Sequence, residues 1–266
     1  MVTLDDIVAF KREELEEVKS SIPLSQLEAS INGLPPALDF ALALRGNGIQ
    51  LIAEVKKASP SAGTLKDDLD PVATARTYAA GGAAAISVLT ESRFFLGHLD
   101  HMKSIRESRD NGWFDGRRPP LLRKDFVFDP YQVYEARAYG ADAVLLIVAI
   151  LGAKDLKELL ALTHDLGMEA LVEVHEEGEA QTALETDAWV IGINNRNLKT
   201  FRVDLETTRR LRPLIPRDRV VVSESGIRGS ADVARLKEWG ADAMLIGEAL
   251  VTAPDVGAKI RELLGQ

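Results

Sequence analysis

Eight short apolar runs, evenly strung along the chain and separated by amphipathic stretches, restrict this sequence more than any other feature. They are Gln50 to Val55, Ala84 to Thr90, Leu121 to Phe126, Ala143 to Val148, Ala170 to Val174, Trp189 to Asn194, Val220 to Glu224 and Ala243 to Gly247. Each is rich in Val, Ile, Leu and Ala and nearly continuous rather than alternating. That is the pattern of strands buried on both faces, as in a parallel sheet. Between them, Pro130 to Tyr139, Lys154 to Leu166 and Ala231 to Trp239 carry helical spacing. Three helix-to-strand junctions share one design: Tyr139-Gly140-Ala141-Asp142-Ala143, Trp239-Gly240-Ala241-Asp242-Ala243 and Ala80-Gly81-Gly82-Ala83-Ala84. Glycine suits the left-handed position after a helix, where a side chain would clash. Repeated junctions imply repeated units.

Eight alternations without a long linker predict an α/β fold, a closed (β/α)8 TIM barrel, and the 266 residues are close to the roughly 250 typical of one. An open doubly wound sheet is the alternative, but no Gly-x-Gly-x-x-Gly follows the first run. Residues 1–266 therefore read as a single barrel domain, with 1–48 as an N-terminal helical extension. Within it, Leu4 to Val18 reads as an amphipathic helix, with Asp5 and Asp6 near its start. The extension is expected to cover one end of the barrel or to flank its mouth.

Composition excludes several classes. A net charge of −9 argues against a nucleic-acid partner and means that an anionic ligand must be held by local groups. The absence of cysteine removes disulfides and thiolate chemistry. The charged N-terminal segment lacks the apolar core of a secretory signal, and no apolar run approaches the roughly 20 residues of a membrane span. A soluble cytoplasmic protein without membrane contact is the expectation.

Active sites of such barrels lie at the C-terminal ends of the strands. There the chain reads Glu54-Val55-Lys56-Lys57-Ala58-Ser59-Pro60-Ser61, Arg123-Lys124-Asp125-Phe126, Glu173-Val174-His175, Asn194-Asn195-Arg196-Asn197, Ser223-Glu224-Ser225-Gly226 and Gly247-Glu248. A lone lysine at a barrel rim snorkels to water as readily as it acts. Glu54 and Glu173 alone would read as structural ion-pair partners. Two Lys and two Glu converging on one mouth read instead as acid–base groups that tune one another. Lys124 and Glu173 are the principal pair. The small-residue turns Ser225-Gly226 and Gly247-Glu248 fall after the seventh and eighth runs, where barrels often bind phosphate. Either turn alone would pass for an ordinary connection that needs glycine.

These segments resemble the indole-3-glycerol phosphate synthase family. The resemblance runs through Ile52-Ala53-Glu54-Val55-Lys56-Lys57-Ala58-Ser59-Pro60-Ser61, Thr90-Glu91 with Phe94-Phe95-Leu96-Gly97, and Arg123-Lys124-Asp125-Phe126. It continues through Leu171-Val172-Glu173-Val174-His175, Ile191 to Leu198, Ser223 to Ile227 and Leu245 to Leu250. It implies conversion of 1-(2-carboxyphenylamino)-1-deoxyribulose 5-phosphate, a phosphorylated small molecule, to indole-3-glycerol phosphate, with release of carbon dioxide and water. It implies no metal and no organic cofactor.

The resemblance also implies roles. Lys124 is the acid at the ketone oxygen, Glu173 the general base, and Lys56 contacts the substrate carboxylate and shares the acid's work. Glu54 positions a lysine or contacts a hydroxyl, Glu224 orients the lysines, and Asn194 and Arg196 bind the leaving-hydroxyl region and the anionic groups. Ser59 and Ser225 are further substrate contacts. Phe95, Phe126 and Leu198 wall the anthranilate ring, although for either phenylalanine alone core packing is the competing reading. Ser225, Gly226, Gly247 and Glu248 hold phosphate, Glu248 through its backbone N–H with its carboxylate turned away. Glu248 stands where relatives carry a small hydroxyl residue, and Ala58 where some carry a further lysine.

The histidines His98, His101 and His164 read as surface or packing residues on helices, and His175 as a supporting residue behind Glu173. No spacing among them suggests a metal. Two alternatives stand beside this reading: another phosphoribosyl-processing barrel enzyme, and a non-catalytic phosphosugar-binding barrel. The tryptophan-pathway isomerase relies on a cysteine base, which this chain lacks. A non-catalytic barrel predicts loss of the acid–base set, all of which is present.

Overall fold

The computed structural model describes residues 3–60, 62–108, 113, 118–198 and 200–266; Ser61 of the first motif lies outside them. The first strand, β1 (Gln50–Val55), leads into a small antiparallel hairpin of β2 (Ala58–Ser59) and β3 (Gly63–Thr64). Seven further long strands follow: β4 (Ala85–Leu89), β5 (Leu121–Lys124), β6 (Ala143–Ile147), β7 (Glu169–Val174), β8 (Val190–Asn194), β9 (Val220–Glu224) and β10 (Ala243–Ile246). Among the described residues, β1 and β4 to β10 are parallel and pair in chain order. β10 closes the ring on β1, with Gln50 opposite Ala243. The chain is a (β/α)8 TIM barrel.

Helices α4 (Pro71–Ala80), α5 (Leu99–Glu107), α6 (Pro130–Ala138), α7 (Ala153–Asp165), α8 (Glu177–Leu184), α9 (Glu206–Leu211) and α10 (Ser230–Trp239) alternate with the strands. Short α11 (Glu248–Val251) and α12 (Val256–Leu264) follow β10. The repeated junction takes the expected left-handed form at Gly140 (φ 92°) and Gly240 (φ 85°). In the third copy that position falls on Gly82 (φ 97°), while Gly81 stays right-handed.

Strand periodicity sorts the side chains into two layers. Ile52, Leu122, Leu145, Leu171, Val222 and Leu245 fill the barrel interior. Their outward neighbours, such as Ala53, Leu121, Val144 and Val172, pack with the helices. Both faces of each strand are therefore apolar, which is why the runs lack alternation.

The N-terminal extension works at both ends of the barrel. Its first helix, α1 (Leu4–Ser21), opens with a capping box between Thr3 and Asp6. Leu15 of α1 and Leu27 of α2 (Leu24–Ile31) pack on Tyr131 of α6. The chain then descends to α3 (Phe40–Ala43), where the fully buried Phe40 and Leu44 join the interior beneath Ala85, Val190 and Val220. These residues start their strands, so α3 stoppers the N-terminal end of the barrel. At the opposite end, buried Lys11 of α1 pairs with Asp125 at 3.1 Å, just past β5.

Candidate active site

The inward period of two, carried one or two steps beyond the apolar interior, delivers the polar set. Ile52 is followed on the same face by Glu54, Leu122 by Lys124, and Leu171 by Glu173. Gly192 is followed by Asn194, Val222 by Glu224, and Leu245 by Gly247. All six of these residues, with Lys56 and the predicted contacts Ser59, Phe95, Phe126, Arg196, Leu198, Ser225, Gly226 and Glu248, line one cavity of about 190 Å³. The flanking residues of β5 face the other way. Arg123 is fully buried against Asp125 at 3.0 Å and Glu135 of α6 at 2.8 Å, so the Arg-Lys-Asp triplet is one inward lysine between two structural ions.

Lys124 lies at the centre. Its Nζ donates to Glu173 Oε2 at 3.0 Å and lies 3.4 Å from Glu224 Oε2. Asn194 Nδ2 donates to Glu173 Oε1 at 3.1 Å, and Asn194 Oδ1 accepts the N–H of Arg196 at 3.0 Å. Lys56 pairs with Glu54 at 2.7 Å and stands 5.9 Å from the centroid of the Phe95 ring. Phe95 and Phe126 are 6.3 Å apart between centroids, tilted by 42°, and form one wall. The loop carrying Phe95 is folded by buried Glu91, whose carboxylate accepts the N–H groups of Arg93, Phe94 and Phe95.

The charges are strongly interdependent. Burial disfavours the Lys124 cation, but the carboxylates of Glu173, Glu224 and Glu54 outweigh it and hold the amine above its ordinary value. Burial would raise Glu173; Lys124, His175 and the Asn194 hydrogen bond reverse that and hold it well below the usual carboxylate range. Burial, with ionised Glu173 beside it, pushes Glu224 up to about 8 despite the pull of Lys124. One lysine thus sits between a carboxylate held strongly ionised and one whose proton affinity is raised. Groups driven apart in this way suit acid and base roles in one site.

At the β9 and β10 end the backbone bends sharply. Ser225 (φ 66°) and Gly226 (φ 84°) are both left-handed, and a side chain at Gly226 would strike Val203. Gly247 stands at the N-terminus of α11, whose first N–H groups have no side-chain cap. Glu248 is exposed at the rim. Among the described residues no three His, Asp or Glu side chains converge as a metal-holding group.

Some cavity residues escape a reading of the strand ends. Leu4 and Ile7 reach the mouth from α1, and Phe201 (φ 57°) comes from the loop after β8. An aromatic residue between Thr200 and Arg202 is the one signal that could have marked Phe201. Of the histidines, His98 caps α5 rather than lying within it, accepting from Asp100 N. His164 pairs with Glu169 at 3.2 Å.

The chain matches the family model described as indole-3-glycerol phosphate synthase over residues 4–263. It is 56% identical over 265 residues to the protein of that description from Roseiflexus sp. (strain RS-1), covering 98% of each chain. It is 54% identical over 262 residues to the one from Dehalococcoides mccartyi (strain CBDB1), covering 98% of this chain and 99% of the relative. Among solved structures, 3-hexulose-6-phosphate synthase from Salmonella typhimurium is similar with a TM-score of 0.63 at 12% identity, covering 82% of this chain and 97% of that one. Thiamine phosphate pyrophosphorylase from Pyrococcus furiosus gives a TM-score of 0.59 at 21% identity, covering 81% and 93%. At those identities the structural likeness speaks to the fold alone.

Proposed function

Because the chain belongs to the indole-3-glycerol phosphate synthase family, we propose a division of roles in its cavity for that family's ring closure. The chain converts 1-(2-carboxyphenylamino)-1-deoxyribulose 5-phosphate to indole-3-glycerol phosphate, releasing carbon dioxide and water. It acts in tryptophan biosynthesis. The observation that carries the division of roles is the single inward lysine on β5 held between Glu173 and Glu224.

The arene carbon bearing the carboxylate attacks the ketone carbon, and charge develops on the ketone oxygen. Lys124 donates its proton there, supplying the positive partner in a site shielded from water. Carbon dioxide then departs, leaving its bonding pair to restore the aromatic ring. Loss of the new hydroxyl needs an acid, and removal of a ring-side proton needs a base; Glu173 is the base. Its ionised form is a weak base while Lys124 is charged. Once Lys124 has given its proton away, one of the charges that depressed Glu173 is gone and its proton affinity rises. Acid and base are thereby linked in order.

Lys56, oriented by Glu54 beside Phe95, meets the substrate carboxylate and shares the acid's work. Phe95, Phe126 and Leu198 wall the aromatic ring, and Ser59 contacts the bound substrate. Asn194 and Arg196 meet the leaving hydroxyl and the anionic groups. Ser225, Gly226, Gly247 and Glu248 seat the phosphate through backbone N–H groups, supported by the uncapped start of α11. We also place the protein in the cytoplasm, where a biosynthetic enzyme of this family would meet its phosphorylated small-molecule substrate. The direct test supplies the carboxyphenylamino-deoxyribulose phosphate to purified protein and follows indole fluorescence. Steady growth of signal is expected; a folded protein that gives none overturns the reading.

A further inference from the structure

His175 follows β7 two residues after Glu173, and nothing in the roles above uses it. Its ring is confined from both sides. Glu179 of α8 sends one oxygen, Oε2, to accept both the backbone N–H of His175 at 2.7 Å and its Nδ1 at 3.0 Å. On the far side Nε2 lies 3.2 Å from Glu173 Oε1, although not aligned as a hydrogen bond. Carboxylates only accept, so Nδ1 must carry a proton to satisfy Glu179. A neutral ring in that tautomer would then leave the Nε2 lone pair 3.2 Å from an ionised oxygen, which is repulsive. The contacts are favourable when both nitrogens carry protons.

We propose that His175 is a positioning residue for Glu173, standing as an imidazolium between Glu179 and the base. Asn194 and His175 then occupy the neighbourhood of Oε1, which leaves Oε2 turned to Lys124. The groups facing Glu173 are Lys124 from β5, Glu224 from β9, Asn194 from β8 and His175 from the end of its own strand. Those facing His175 are Glu173 and Glu179. Burial opposes charge on the ring, but these two carboxylates outweigh it and raise His175 to about 10. The consequence is specific to one stage of the reaction. When Lys124 has passed its proton to the substrate, His175 remains as the cation that keeps Glu173 ionised and pointed. The inference rests on Glu173 being the base.

Two variants separate charge from shape. His175→Gln removes the ring, whereas Glu179→Gln keeps an oxygen able to accept both N–H groups but removes the charge that stabilises the cation. In 15N-labelled wild-type protein, the ring nitrogens assigned by loss in His175→Gln should both be protonated at pH 7.5 and remain so to at least pH 9. In Glu179→Gln the His175 titration should fall by about one unit or more. The kcat of His175→Gln should drop roughly tenfold with little change in KM. Its acidic limb of kcat/KM should move up by about one pH unit, because Glu173 has lost a nearby cation. A wild-type ring that titrates near 6.5, or a His175→Gln loss that is equal at every pH, overturns the proposal. Glu173→Gln keeps the readings apart: retained turnover there removes the base role, whereas the nitrogen spectra report on the imidazolium regardless.

Discussion

A side chain at Gly247 would bring its Cβ to 2.5 Å from Glu54 Oε1, so the glycine at the head of α11 also provides the space into which Glu54 folds. Two parts of the cavity that look separate in sequence therefore share one small volume. Gly247→Ala should displace Glu54 and, through it, Lys56. The expectation is a kcat lowered roughly tenfold or more, accompanied by a raised KM from the disturbed backbone. Steady-state kinetics decide: a raised KM with kcat intact would mean that Gly247 serves the phosphate seat alone.

Gly192 stands in the same relation to Glu224. A Cβ there would overlap Glu224 Oε1, which leaves the carboxylate no room beside Lys124. Gly192→Ala should reduce turnover about as severely as Glu224→Ala, and the two together should cost little more than either alone. Additive losses in that double-mutant cycle would show that Gly192 acts elsewhere.

Lys124→Ala should abolish most turnover, by about a thousandfold, the scale of losing a principal electrostatic donor in a buried site. Its circular dichroism spectrum should remain that of a folded barrel, since the interior layers below Lys124 are untouched. Glu173 would lose one of the two cations that depress it, so a pH profile of the residual activity should rise at higher pH than in the wild type. Near-normal turnover would remove Lys124 from its role as principal acid.

Glu224 gives a stability signature. Its value in the folded chain is about 8, against an ordinary 4.5. Between those two values the folded state binds more protons than the unfolded one, so stability falls as pH rises through that window. The penalty is absent below about 4.5 and fully developed above about 8, with a slope of up to roughly 1.4 kcal/mol per pH unit. Glu224→Gln should therefore narrow the gap between melting temperatures measured at pH 5 and at pH 8.5, while lowering turnover. An unchanged gap would show that Glu224 titrates normally.

The seat of α1 can be tested through Lys11. Asp125 is fully buried, and although burial would raise it, Lys11 and Arg123 hold it well below the usual range. Lys11→Met breaks a buried pair and should cost about 3–5 kcal/mol in urea unfolding at neutral pH. The depressed carboxyl contributes stability that is present above about 3.8 and lost on acidification below it. The variant should accordingly lose less on acidification than the wild type. A loss below 1 kcal/mol at neutral pH would show the pair to be dispensable.

The barrel is legible in the sequence because burial on both faces leaves continuous apolar runs whose spacing counts the strands. The third run overshoots: β5 stops at Lys124, since Asp125 turns out of the ladder to bind Lys11 and Thr90. The proposed catalytic set is legible for a related reason, as charge in an apolar strand has few explanations. What the sequence hides is direction and distance. Arg123, Lys124 and Asp125 are equally charged on paper, and only strand geometry separates the inward residue from its outward neighbours. Leu4 and Ile7 look like any apolar stripe on a helix, yet they reach the cavity across 40 or more intervening residues. Gly192 reads as a weak point in a strand until the Glu224 side chain is seen to lie over it. The sequence places His175 behind Glu173, but its clamp by Glu179 shows there only as a four-residue spacing, a pattern that surface helices share.

The extension that stoppers the floor with Phe40 and Leu44 and borders the mouth with Leu4 and Ile7 has a consequence for how the protein is made. Those first residues leave the ribosome before any strand exists. Phe40 belongs to an interior cluster that Val220 and Ala243 help to complete, and the ring closes only when β10 meets β1. A segment synthesised before the barrel strands is thus among the last to be seated. Until then its apolar stripe waits in solvent, open to mistaken association, and the final strand relieves it.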